Sequence, residues 1–158
     1  DENDDGVTEV PEAREMQCLD EEGERQYYVV WRQYSADGTA ADVQSCYHNV
    51  EDGWNLKLPK EWSKEKLAAE RTVGADESAV SFYRVGADGS RKKVLTIYRL
   101  TGSMREELAG IGDRFTLTRQ VEAVYAAEIG DTWNMQLTEQ SLRDRFSLIM
   151  AEWTMGDN

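Results

Sequence analysis

The chain has 158 residues, 40% of them hydrophobic, with 31 acidic side chains against 18 Lys and Arg, a net charge of −13 and an isoelectric point near 4.5. That length allows one domain with a real core. The acidity argues against nucleic acid or an anionic membrane as partner, because both are bound through clustered Lys and Arg. The one basic cluster, Arg91, Lys92 and Lys93, falls in a predicted hairpin loop, and no apolar run reaches the roughly 18 residues that a transmembrane helix needs.

Residues 1–15 read as an acidic linker or arm, with Asp1, Glu2, Asp4, Asp5, Glu9, Glu12 and Glu15 and almost no large apolar side chains to offset ordering entropy. Residues 16–158 are expected to form a single α+β domain. Its first strand is the aromatic and β-branched run Tyr27 to Tyr34. The turn signal Ala36-Asp37-Gly38 leads to a second strand, Ala41 to His48. After Glu51-Asp52-Gly53, the apolar residues Trp54, Leu56 and Leu58 alternate with Asn55 and Lys57, predicting a half-buried strand that Pro59 stops. A strand is favoured over a helix for 66–73. Val80 to Val85 and Val94 to Leu100 follow, joined by Ala87-Asp88-Gly89. The latter is apolar on both faces, which predicts a central strand.

Ser103 and Glu106 have capping-box spacing, so a short helix is expected to open there and to end at Gly110 and Gly112. Phe115 to Gln120 and Val121 to Ile129 read as a strand pair, the second with Val121, Ala123, Tyr125, Ala127 and Ile129 on one face. Thr138 caps a predicted last helix running to Trp153, whose Leu142, Phe146, Ile149, Met150 and Trp153 form an apolar stripe. The expected fold class is α+β, an antiparallel sheet of about seven strands with a short helix and a C-terminal helix packed on it. Trp54, Trp62, Trp133 and Trp153 are read as core or rim anchors.

Three patterns bear on chemistry. Asp1, Asn3, Asp5, Gly6 and Glu12 fit the spacing of a calcium loop, with hard oxygen ligands at alternate positions and Gly at the sharp turn. No helix precedes the loop, Thr8 stands where an aliphatic residue is usual, and Pro11 interrupts the exit. Cys18 and Cys46 flank the first predicted strand. A disulfide between them is expected outside the cytoplasm and would stabilise the fold by roughly 3–4 kcal/mol; the alternative is two separate buried thiols. His48 is the only histidine, which excludes multi-histidine metal sites. A catalytic Cys46–His48 pair is not expected, since a cysteine held in a disulfide cannot be a nucleophile. Glu106 with Glu107, or Glu122 with Glu128, are carboxylate pairs in sequence only; on a strand the second pair is separated by about 20 Å. No phosphate loop, dinucleotide fingerprint, CxxC or HExxH occurs.

The stretch Gly53-Trp54-Asn55-Leu56-Lys57-Leu58-Pro59-Lys60-Glu61-Trp62, with Val94-Leu95-Thr96-Ile97-Tyr98, Arg119-Gln120, Val124-Tyr125-Ala126-Ala127-Glu128 and the segment Phe146 to Thr154, resembles secreted lipoproteins of gut-type Gram-positive bacteria. The resemblance spans roughly residues 26–155 and implies a PsbP-like sheet flanked by helices. The lipobox cysteine of such proteins is not in the sequence, and the resemblance supplies no ligand or catalytic residue. The expectation is therefore a non-catalytic binding or scaffold module of the cell envelope. It would lie outside the cytoplasm, anchored through a removed N-terminal lipid signal, with a protein or envelope ligand as partner. The alternatives are a carboxylate-dependent hydrolase, or a calcium-responsive module using the N-terminal loop. No cofactor is expected apart from that calcium.

Overall fold

Period-two alternation of apolar side chains dominates the chain, and the structure follows it almost throughout. The computed structural model describes residues 10–15, 27–59, 62, 66–130 and 137–149. These form ten strands and two short helices. The strands are β1 (Val10–Glu15), β2 (Tyr27–Tyr34), β3 (Ala40–Asn49), β4 (Trp54–Leu58), β5 (Leu67–Val73), β6 (Glu77–Val85), β7 (Arg91–Leu100), β8 (Phe115–Arg119), β9 (Val124–Ile129) and β10 (Phe146–Leu148). Helix α1 (Arg105–Ala109) lies between β7 and β8, and α2 (Glu139–Arg145) precedes β10. All described pairings are antiparallel, in two five-stranded sheets ordered β1-β2-β3-β4-β10 and β5-β6-β7-β9-β8.

This corrects the expected α+β fold of one sheet covered by helices in the PsbP manner. The described chain is mostly antiparallel β, and the sheets cover each other. Tyr47, Trp54, Leu56 and Leu58 of the first sheet share one core with Ala69, Val80, Phe82, Leu95, Ile97 and Tyr125 of the second. Tyr47 sits at the centre, edge-on to Phe82 across the interface at 5.0 Å and 5.5 Å from Trp54. Dimensions explain why helices cannot do this job. Seven residues of α2 span about 10 Å, whereas five strands span about 19 Å. α2 instead buries Leu142 against the shared core. α1 caps a smaller cluster of Leu100, Ala109, Val124 and Ala126 on the opposite face of the second sheet.

The long C-terminal helix is the largest local departure. Thr138 does cap a helix, its Oγ1 accepting from the Ser141 amide at 3.1 Å while Ser141 Oγ accepts from the Thr138 amide at 2.9 Å. The helix stops at Arg145, and Phe146–Leu148 pair with β4. Phe146 fits either period, and the open edge of β4 decides between them by bonding its backbone, as the Ile149 amide does to the Gly53 carbonyl at 2.8 Å. The Phe146 ring then lies 5.8 Å from both Trp54 and Tyr125. Met150 and Trp153 of the predicted stripe lie outside the described residues, as does Trp133.

Three smaller corrections follow the same logic. Val10–Glu15, part of the expected acidic arm, is an edge strand; backbone pairing with β2 orders it, and an edge tolerates Pro11 and charge. The N-cap of α1 is Met104, without a side-chain bond, so the Ser103–Glu106 capping box does not form. Val121 lies in the β8–β9 turn, 91% exposed, while Ala123, Tyr125 and Ala127 face the core as expected. The basic cluster Arg91 to Lys93 opens β7. As expected, β7 is central, between β6 and β9. Its register slips between Phe82 and Tyr83, leaving Val94 as an extra residue, so Val94 and Leu95 are both fully buried. Gly130 donates to the Val94 carbonyl at 2.9 Å, and a Cβ there would collide with the Lys93 carbonyl.

Candidate functional site

The turn between β3 and β4, Asn49-Val50-Glu51-Asp52-Gly53, is closed by its own polar groups. The Gly53 amide donates to the Asn49 carbonyl at 2.8 Å, and the Asp52 amide donates to Asn49 Oδ1 at 3.2 Å. Gly53 carries φ +78°, a conformation that glycine adopts without strain. The fold-back turns the Asp52 side chain inward, and the residue is 5% exposed.

Three elements converge on that carboxylate. Arg71 arrives from β5, on the same strand face as Leu67 and Ala69, and donates to Oδ1 through Nη2 at 2.9 Å and to Oδ2 through Nε at 3.3 Å. Ser78 at the start of β6 donates to Oδ1 at 2.8 Å, and Asn49 Nδ2 donates to Oδ2 at 2.7 Å. From β9, the Tyr125 hydroxyl donates to the Asp52 carbonyl at 3.1 Å. A turn of the first sheet is thereby bonded to three strands of the second. Burial pushes the Asp52 carboxyl up, but the hydrogen bonds from Arg71, Ser78 and Asn49 and the Arg71 charge outweigh it and hold the group below its ordinary value.

Beside this knot is a cavity of about 220 Å³, lined by Glu51, Asp52, Arg71, Ser78, Arg99 and Thr101 among others. It is below the roughly 300–1,000 Å³ of sites that enclose a whole drug-sized ligand, so it suits a small molecule or one terminal group. No family model matches the sequence, and no curated protein or solved structure matches it. The cavity's own chemistry is therefore the guide to what the chain does.

Of the residues singled out from sequence, the described ones lie away from this cavity. Asp1, Asn3, Asp5 and Cys18 are outside the described residues. Glu12, the last residue of the calcium-loop pattern, lies in β1, where it accepts from Arg32 at 3.0 Å and lies 3.7 Å from Arg14. That is an extended position with cationic neighbours, whereas the calcium-loop pattern places this residue where the exiting helix begins. Among the described residues no group of three metal-ligating side chains converges. Cys46 is 1% exposed on β3, and His48 on the same strand is exposed. Glu106 is held by Arg119 at 2.9 Å, Glu122 sits in the β8–β9 turn, and Glu128 is on β9. No helix among the described residues is long and apolar enough to cross a membrane.

Sequence reading passed over Asp52, Arg71, Ser78 and Arg99. One signal was present: once 66–73 is read as a strand, Arg71 shares a face with two apolar residues. A charge there calls for a buried partner. The partner's identity was not legible, because Asp52 is 19 residues away and reads as an ordinary turn residue.

Proposed function

We propose that this chain is a non-catalytic binding or scaffold module of the cell envelope, working outside the cytoplasm and anchored at its N-terminal side. The observation that carries the non-catalytic part is the commitment of Asp52. The described carboxyl group most deeply placed beside a cavity accepts four hydrogen bonds from within the fold. An acid catalyst at neutral pH needs a raised pKa and an unsatisfied face toward substrate. Asp52 has neither, and the other shifted carboxyls, Asp37, Asp88 and Glu106, also move down through hydrogen bonds from Thr39, Ser90 and Arg119. The envelope assignment rests on the lipoprotein resemblance and the paired-cysteine expectation.

The test is a panel of chromogenic esters, phosphate esters, glycosides and peptides, offered to the wild type and to Asp52→Asn. The expected result is no turnover above background with either. Turnover by the wild type that Asp52→Asn or Glu51→Gln abolishes, with the fold intact, would establish the hydrolase reading instead.

A further inference from the structure

We propose that the cavity beside Asp52 binds a carboxylate group through Arg99 and Thr101; this deepens the binding reading above. In β7, Ile97 faces the shared core and Leu100 the smaller cluster, so alternation puts Arg99 on the inner face. Its cross-strand partners are Ser78 on β6 and Tyr125 on β9, the two residues whose hydroxyls reach Asp52. Arg99 and Thr101 both line the cavity.

Charge accounting selects the ligand. Asp52 is neutralised by Arg71. Glu77 also lines the cavity, but it pairs with Leu100 in the register, and its carboxylate is held by Arg114 at 3.2 Å. Glu51 is 3.7 Å from Arg71 with its side chain 61% exposed, at the rim, where solvent screens it. Arg99 makes no ion pair or side-chain hydrogen bond among the described residues. The cavity wall thus carries a partly buried guanidinium, Arg99, that no described carboxylate pairs, beside Thr101. A guanidinium presents a planar fork of N–H donors that matches a carboxylate in two parallel bonds. A single negative charge balances the site, whereas a doubly charged phosphate would leave an excess against a chain of net charge −13. The small volume fits a free short acid or the carboxylate that ends a longer chain.

The experiment is an NMR titration of the isotope-labelled protein, following the Arg99 side-chain Nε–H and the Thr101 amide. The probes are acetate, the dipeptide Ala-Ala, its C-terminal amide, and sulfate, all at constant ionic strength. Saturable shifts are expected with acetate and Ala-Ala and none with the amide. Tighter binding of Ala-Ala than of acetate would point to a chain terminus; equal binding would point to a free acid. Arg99→Gln should weaken binding by tenfold or more, as expected for loss of a charge-assisted pair. Arg99→Lys should retain part of it. Shifts that persist unchanged in Arg99→Gln, a preference for sulfate, or no saturable shift with any probe would overturn the proposal. None of those outcomes creates turnover, so the non-catalytic reading would survive them.

Discussion

Arg71 and Asp52 meet at 2.9 Å and 3.3 Å through two hydrogen bonds, one residue from an edge strand of the second sheet and the other from a turn of the first. Their side chains are 17% and 4% exposed, so the pair is largely withdrawn from water. Removing one partner of such a pair strands a buried charge, which costs about 3–5 kcal/mol, whereas replacing both with apolar groups costs much less. Asp52→Asn and Arg71→Met should each lower the unfolding free energy in urea by that order. Asp52→Leu combined with Arg71→Met should cost clearly less than the sum of Asp52→Leu and Arg71→Met made singly. Strict additivity would mean that the two side chains do not depend on each other.

The same carboxylate makes stability depend on pH. Its folded pKa lies below the ordinary 3.8 of the unfolded chain, so the unfolded state binds more protons in the interval between the two. The contribution is fully present above the unfolded value and is lost as pH falls through the folded one. The stability gap between wild type and Asp52→Asn should therefore stay constant from about pH 5 to 8 and narrow as pH falls below 3.8. Denaturation series at stepped pH provide the measurement. A gap that widens in acid would reverse the sign and show that burial, not hydrogen bonding, dominates at Asp52.

Sheet-on-sheet packing predicts an order of sensitivities. Phe82 is fully buried and touches rings from the first sheet and from Trp62, so Phe82→Ala should cost about 3–5 kcal/mol. Phe146 is only partly buried on the short β10 and should cost less, about 2–3 kcal/mol. Val121→Ala, in an exposed turn, should change stability by less than about 0.5 kcal/mol. Phe146 outranking Phe82 would mean that the β10 edge, not the sheet interface, carries more of the stability.

The envelope reading predicts a thiol state. Cys46 is buried, so native alkylation would not reach it even if reduced. Intact mass after alkylation in denaturant without reductant should show no added label if Cys18 and Cys46 are bridged, and two after reduction. Two labels before reduction, in protein recovered from its own compartment, would remove the disulfide and with it much of the case for an oxidising location.

Local sequence determined most of the strands. Tyr27 to Tyr34, Trp54 to Leu58 and Val94 to Leu100 announce themselves because burial on one or both faces of a strand writes its period directly into the side chains. The turns at Gly38, Gly53 and Gly89 were equally legible, since each needs the positive φ that glycine supplies. What lay against those strands was decided only in three dimensions. An apolar strand face records that it is covered but not by what, so the same residues suited a helix layer or a second sheet. Phe146 shows the ambiguity at a single residue: its spacing from Leu142 is helical, and the open edge of β4 made it a strand. The cavity is the extreme case. Strand pairing within the second sheet aligns Arg71, Ser78 and Arg99, and only the packing of one sheet on the other adds Asp52 from its turn. Ion pairs and small cavities are made by contacts between distant segments, and no local period encodes such contacts.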